Sequence, residues 1–342
     1  MKHRTLRLIA WRLLMALPIL FGVVVVTFVL IRALPGDPAI AYASGPNMSQ
    51  EDIDAIRRAM GLDKSLAQQF LIYLRNIAHL DFGNSMITGQ PVLEDFKERL
   101  PATLELAIFA FALSLIVALP IGVLSALYRD SWIDQLARVV TSVSAAMPGF
   151  FFGLILIFVF YFLLGIGPEP IGRLSGWSIA PPTVTGLMTV DTALIGDWPL
   201  FREAVAKMIM PAASMAIFAV APLMRMMRGG MIDALDSDYI KSAQAYGLSR
   251  RRILLQHALP NAMLPVLATM GMVLSTMLGA NIMIEKLFSW PGIGSYSVNA
   301  LTGVDYAPVQ AFVLIVAVLF VLMTLAIDLL SAAIDPRYKV KG

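Results

Sequence analysis

Six long apolar runs constrain this chain more than any other feature. Leu13 to Ile31 offers 19 residues without a charge, and Leu106 to Leu127 offers 22. Val139 to Gly167 runs for 29 and contains Pro148 and Gly149, while Met208 to Met224 runs for 17 between Lys207 and Arg225. Ile253 to Ile284 carries only His257 as an interruption, and Tyr306 to Ile327 is a 22-residue run between Asp305 and Asp328. A bilayer core about 30 Å thick is crossed by roughly 20 helical residues, each rising about 1.5 Å. The runs therefore predict an all-α polytopic membrane protein with six transmembrane helices. Ile253 to Ile284 is too long for one straight span, and Pro260 and Pro265 predict a membrane-surface segment leading into a span from about Leu264.

Composition agrees. Hydrophobic residues make up 58% of the chain, charged residues 14%, and the mean hydropathy is +0.76, whereas soluble domains carry about 25% charged residues. The absence of cysteine excludes disulfides, thiol catalysis, Cys-ligated zinc and iron–sulfur clusters. His3, His79 and His257 lie too far apart for a local metal motif. Lys2, Arg4, Arg7 and Arg12 precede the first run, but the run exceeds the usual length of a signal-peptide core. An uncleaved anchor is expected.

With the N-terminus inside, the inner segments hold 15 Lys and Arg over 71 residues and the outer segments 11 over 137. The positive-inside rule then places both termini in the cytoplasm. The chain divides into a cytoplasmic segment with the first span (1–31), an outer loop (32–102), a core with five further spans (103–334) and a cytoplasmic tail (335–342). In the outer loop, Ser49 with Asp52 resembles a capping pair, Ile53, Ile56 and Met60 share a helical face, and Gly61 ends it. A second helix is expected around Leu66, Phe70, Tyr73, Leu74 and Ile77. Two readings stay open for this pair: amphipathic helices resting on the membrane or bundle, or a cap over a pore mouth. Residues 165–207, rich in proline and glycine, predict loops and turns. No internal repeat is visible.

The most informative stretch is cytoplasmic, within a loop spanning about 229–263. Asp236, Ser237 or Asp238 can cap a short helix over about 239–246, and Gly247 supplies the left-handed residue that ends it. Tyr239, Ala243 and Tyr246 form an i, i+4, i+7 stripe, and such a helix has little of its own to pack against. It either lies on the bilayer or enters a partner's groove. Ser249 can cap a second helix, which Pro260 and its preceding residue interrupt. Arg250, Arg251 and Arg252 sit where the helix dipole disfavours cations, so they point to anionic lipid headgroups. No nucleic-acid-reading fold accompanies them.

Lys241-Ser242-Ala243, then Gly247, then His257-x-Leu259-Pro260 resembles the EAA loop of ABC importer membrane subunits, with Lys241 in place of the family's usual Glu. Further motifs are similar to those of the dipeptide, oligopeptide and nickel importer subfamily, in its first, B-type permease. They are Leu34-Pro35-Gly36-Asp37-Pro38, Gly61-Leu62-Asp63-Lys64, Asp81-Phe82-Gly83-Asn84-Ser85, Pro101-Ala102-Thr103-Leu104-Glu105-Leu106, Phe288-Ser289-Trp290-Pro291-Gly292-Ile293-Gly294 and Asp305-Tyr306. The resemblance implies the type I importer permease fold and a site made of Tyr239, Lys241, Ala243, Tyr246, Gly247, Leu259 and Pro260 on a coupling helix. It implies a second permease, two cytoplasmic ABC ATPases and an extracytoplasmic solute-binding protein as partners. Peptide is the expected cargo, with nickel, glutathione or another small solute as alternatives.

The chain contains no G-x-x-x-x-G-K-[ST], so ATP and Mg belong to partner subunits and no cofactor is expected here. A secondary transporter would need ionisable residues at mid-depth, but Glu105, Arg225, Glu285 and Asp328 fall at predicted span ends. An intramembrane enzyme would need a Ser/His pairing, G-x-S-x-G or paired mid-span carboxylates, and none is present.

Overall fold

The apolar runs become helices whose ends fall where charge, proline or glycine resumes. A computed structural model describes residues 2–33, 49–59 and 61–334. Among them run α1 (Lys2–Ala33), α2 (Gln50–Ala59), α3 (Leu66–Ala78), α4 (Val92–Leu127), α5 (Trp132–Ala146) and α6 (Gly149–Leu156), which continues as a π-helical stretch, Ile157–Leu163. Then follow α7 (Met188–Leu194), α8 (Trp198–Leu235), α9 (Asp238–Ala245), α10 (Leu259–Leu287), α11 (Ile293–Thr302) and α12 (Tyr306–Ile334). The Leu34–Pro38 motif, Met60 and the 335–342 tail lie outside the described residues.

Among the described residues, five helices are long and apolar enough to cross a membrane: α1, α4, α8, the Arg250–Met277 stretch entering α10, and α12. The bent pair α5–α6 makes a sixth when counted as one span. The 139–167 run, expected as one span containing Pro148 and Gly149, is divided between these two helices. The pair breaks at Met147–Pro148 with a 106° bend, because the residue before a proline is pushed out of the helical region, and Met147 is extended at φ −97°, ψ 122°. The short 208–224 run sits inside the 38-residue α8, and 67% of its membrane window is buried within the protein, against 11% for α12. α8 is the central post.

α4 packs along α8 through Ala110, Ser114, Ala118, Gly122 and Ala126, one small buried residue every fourth position. Opposite them stand the fully buried Met208, Met224, Met227 and Met231 of α8. Lipid tails supply no hydrophobic drive between spans, so close backbone approach and dispersion must hold them. At Gly122 an added Cβ would lie 2.8 Å from Met227 Cβ. Gly122→Leu is expected to cost about 1–3 kcal/mol by overpacking. A melt of the detergent-purified protein tests this, and a midpoint equal to wild type would mean the two helices can part without penalty. Among other glycines of the spans, Gly271 would place a Cβ 3.2 Å from Ile327, while Gly279 has nothing within 4 Å of a Cβ.

Four of the resemblance motifs, scattered through the sequence, meet at one end of the bundle. Trp290 Nε1 donates to Ala102 O at 2.9 Å, and Thr103 Oγ1 donates to Glu285 Oε1 at 2.6 Å while accepting from Ile293 N–H at 2.9 Å. Ser295 N–H donates to Glu285 Oε2 at 2.8 Å. Asp305 accepts from Ser85 Oγ and Met86 N–H, both at 2.7 Å, and so pins the 81–91 loop to the start of α12. Asp95 of α4 takes the Tyr296 hydroxyl of α11 at 2.7 Å. Farther along, the Asp191 carboxyl would be raised by burial alone, but hydrogen bonds from Thr185, Gly186 and Val184 more than offset this and hold it below the usual range.

The outer helices follow their capping signals. Ser49 Oγ donates to Asp52 Oδ2 at 2.7 Å ahead of α2, Gly61 takes φ +67°, and α3 opens on a full capping box between Ser65 and Gln68. α3 lies on the bundle: the rings of Phe70, edge-on, and Tyr73, tilted, pack against Phe28 of α1 with centroids 5.1 and 5.7 Å apart, and Arg32 Nε donates to Gln69 Oε1 at 2.9 Å.

Candidate functional site

At the opposite end, α8 turns at Asp236–Ser237 and starts α9, with Ser237 in the extended conformation of an N-cap. α9 closes in a Schellman motif: Gly247 N–H donates to Gln244 O at 2.9 Å and Leu248 N–H to Ala243 O at 3.2 Å. That closure requires a left-handed residue after the cap, and Gly247 supplies it at φ +74°. Leu248 is half-buried and packs on the main core beside it.

Here the sequence reading needs one correction. α9 does have a packing surface of its own, because Ile240 is fully buried and Ala243 nearly so, and both join the core cluster with Ile253 and Ala258. The Tyr239–Ala243–Tyr246 stripe is split. Ala243 turns inward with Ile240, the most apolar residue of the helix, while Tyr239 is 43% and Tyr246 87% exposed. Lys241 is exposed and pairs with Asp238 at 2.9 Å; a pair this open to water contributes little. The exposed face therefore gathers Tyr239, Lys241, Tyr246 and Gly247. Leu259 and Pro260 sit apart at the start of α10, the first half-buried against the core and the second exposed.

The interruption expected at Pro260 is also corrected. Proline there lacks an N–H and its ring would collide with the carbonyl four residues back. The helix widens instead of breaking: Ile253–Ala258 is π-helical, and Leu259 N–H bonds to Leu254 O five residues back. Arg250, Arg251 and Arg252 all stand exposed just before this stretch.

A buried ionic node beside α9 escaped the sequence reading. Asp134 of α5 is fully buried and accepts a fork from Arg228 of α8, Nε at 2.7 Å and Nη2 at 2.8 Å. Arg138 Nη2 donates to it at 2.7 Å, Ser125 Oγ of α4 at 2.5 Å and Asp130 N–H at 3.1 Å. The only available signal was an Asp near a predicted loop, since its partner lies 94 positions away. Among the described residues no group of three His, Asp or Glu could hold a metal ion. Two cavities open between the spans. One of about 220 Å³ is walled by Gly149, Phe150, Ser214, Phe218 and Met277 among others; the second, of about 420 Å³, lies between α10 and α12.

Comparison with known proteins places this architecture. Residues 118–340 match the binding-protein-dependent transport system inner membrane component family, and residues 5–107 match the N-terminal region of such membrane components. The chain is 39% identical over 316 residues to the probable D,D-dipeptide transport system permease protein DdpB of Escherichia coli strain K12, covering 92% of each. It is 38% identical to the dipeptide transport system permease protein DppB of the same strain, covering 98% of this chain and 99% of the relative. A solved chain of the MetNI methionine ABC transporter, in inward-facing conformations, superposes with TM-score 0.51 at 15% identity, over 68% of this chain and 93% of that one. That likeness speaks for the ABC importer permease fold alone. With spans, the α9 loop and relatives matched over nearly their whole length in agreement, the chain belongs to the inner-membrane component family of binding-protein-dependent transport systems, as a multi-pass permease subunit without an ATPase site of its own.

Proposed function

We propose that this permease forms half of a peptide pathway and that α9 is the element through which partner ATPases drive it. The carrying observation is the build of α9. It is a short helix rooted by Ile240 and Ala243 and closed by Gly247, and it turns Tyr239 and Tyr246 away from its own protein. Two aromatic rings exposed on a rigid projection suit an apolar groove on another subunit, where aromatic side chains supply much of the binding energy. Peptide as cargo is supported by the dipeptide permeases it resembles across nearly their whole length.

In this reading ATP-driven closure of two cytoplasmic ATPases moves α9 as a lever. The bundle and a second permease then alternate between outward- and inward-open states, and an extracytoplasmic binding protein delivers the solute near α2 and α3. Both termini lie in the cytoplasm. The Arg12–Asp328 contact at 2.9 Å supports their sharing one side, since it joins the first turns of α1 to the last of α12, and the Lys/Arg excess favours the inner side.

Tyr239→Ala combined with Tyr246→Ala is expected to lower recovery of ATPases with the affinity-purified permease about tenfold or more, as loss of two aromatic anchors at about 1–2 kcal/mol each implies. Unchanged recovery would return α9 to the bilayer surface. Uptake of labelled dipeptides against nickel and glutathione, in vesicles holding the full complex, tests the cargo.

A further inference from the structure

We propose that Asp134 and Arg228 form the joint by which movement of α9 reaches the α6 wall of the cavity between α6, α8 and α10. This deepens the reading of α9 as a drive element and rests on it.

Arg228 stands ten residues before Asp238, about two helical turns from the end of α8 and the Asp236–Ser237 turn that leads into α9. At this level α8 is held on two sides. Asp134 grips it through the guanidinium fork, and Gly230 lets it touch α10 so closely that a Cβ would lie 2.9 Å from Ala262 O. The remainder of the buried face of α5 is Ala137, Thr141 and Ser144. These small residues make a smooth contact that fixes no position along the helix. The fork does fix one, because the side-on pairing of Nε and Nη2 with both carboxylate oxygens ties two planar groups at two points. Arg129–Asp236 at 3.8 Å adds only a loose, exposed tie.

At its far end α5 bends through 106° at Pro148 into α6. There a Cβ on Gly149 would lie 2.8 Å from Ser214 O, and Gly149 and Phe150 face Ser214, Phe218 and Met277 across the cavity of about 220 Å³. A shift of the α8 end that drags Asp134 therefore moves α5 as a bar and alters that wall. Buried ion pairs are poor evidence for stability, since apolar replacements often serve as well. A register function explains why five donors gather on one carboxylate here.

The test uses the complete complex, with both ATPases, the second permease and the binding protein, in proteoliposomes. ATP hydrolysis and import of tritiated alanylalanine, or of the first dipeptide in a panel that wild type imports, are measured together. Asp134→Asn is expected to raise ATP consumed per dipeptide about tenfold, the effect of losing one charge-assisted contact. Arg228→Lys, which keeps the charge but loses the fork, is expected to raise it severalfold less. A ratio equal to wild type in both variants overturns the joint, whether the two rates fall together or stay unchanged. If Asp134→Asn does not assemble, Arg228→Lys decides alone. Wild type that shows no ATP-linked import of any dipeptide would sink the peptide reading instead.

Discussion

Replacing Gly292 with alanine is expected to leave little of the protein in the membrane. The backbone there is ordinary, at φ −98° and ψ 177°, so the demand is for space. A Cβ would sit 2.3 Å from Cδ and Oε1 of Glu285. Glu285 cannot swing clear: it is fully buried and held by Thr103 Oγ1 at 2.6 Å and Ser295 N–H at 2.8 Å. The added methyl must either displace the α10–α11 turn or break hydrogen bonds to a buried carboxyl group, each costing about 1–3 kcal/mol when a partner is left unsatisfied. Set against a total of about 5–15 kcal/mol, that loss is large. Gly303→Ala makes a close control, because its Cβ would press mainly on the side-chain tip of the half-exposed Ile87, 2.9 Å away. Quantitative immunoblots of isolated membranes compare the two. Equal yields would mean that the Glu285 cradle yields at little cost.

Gly247→Val is expected to do the reverse, sparing insertion and abolishing most transport. Nothing lies within 4 Å of a Cβ at this position, but φ is +74°. An L-residue there pays about 1–2 kcal/mol, and a β-branched one more. α9 would then end elsewhere, losing the Gly247–Gln244 and Leu248–Ala243 bonds and redirecting Tyr246. Because the site is at the surface, the helical bundle stays intact. Dipeptide uptake should fall about tenfold, while Gly247→Asn, whose side chain tolerates the left-handed region, should keep most of it. Wild-type uptake by the valine variant would remove the cap of α9 from the coupling mechanism.

The legible parts of this molecule were those carried by local chemistry. Ser49 with Asp52, the Ser65 helix and the left-handed Gly61 and Gly247 all stand where short-range signals put them, because a cap or a turn is settled within five or six residues. The Met147–Pro148 break was present in the sequence as Pro148, yet a proline in an apolar run can kink, break or merely bend a helix. Pro211 and Pro222 lie within a continuous α8, whereas Pro148 starts a new helix. Glu285 was read as a span-end anchor and also joins two of the motifs, through Thr103 and through the 292–295 turn. Ile240 was overlooked beside two tyrosines, since an aromatic stripe and a buried stripe look alike when the packing partner is unknown.

Apolar run length and turn residues by themselves determined that this chain crosses a membrane in helices and carries a short capped helix in a loop between two spans. They suffice because a lipid solvent leaves the backbone almost no alternative to the helix, and because a left-handed cap is a property of one residue. Only the tertiary structure decided that α8 is the central post, that Ile240 and Ala243 root α9 while the tyrosines face outward, and that Asp134 meets Arg228. Those facts depend on which faces of distant helices come together, and contacts between residues 94 to 220 positions apart leave no periodic or compositional trace along the chain.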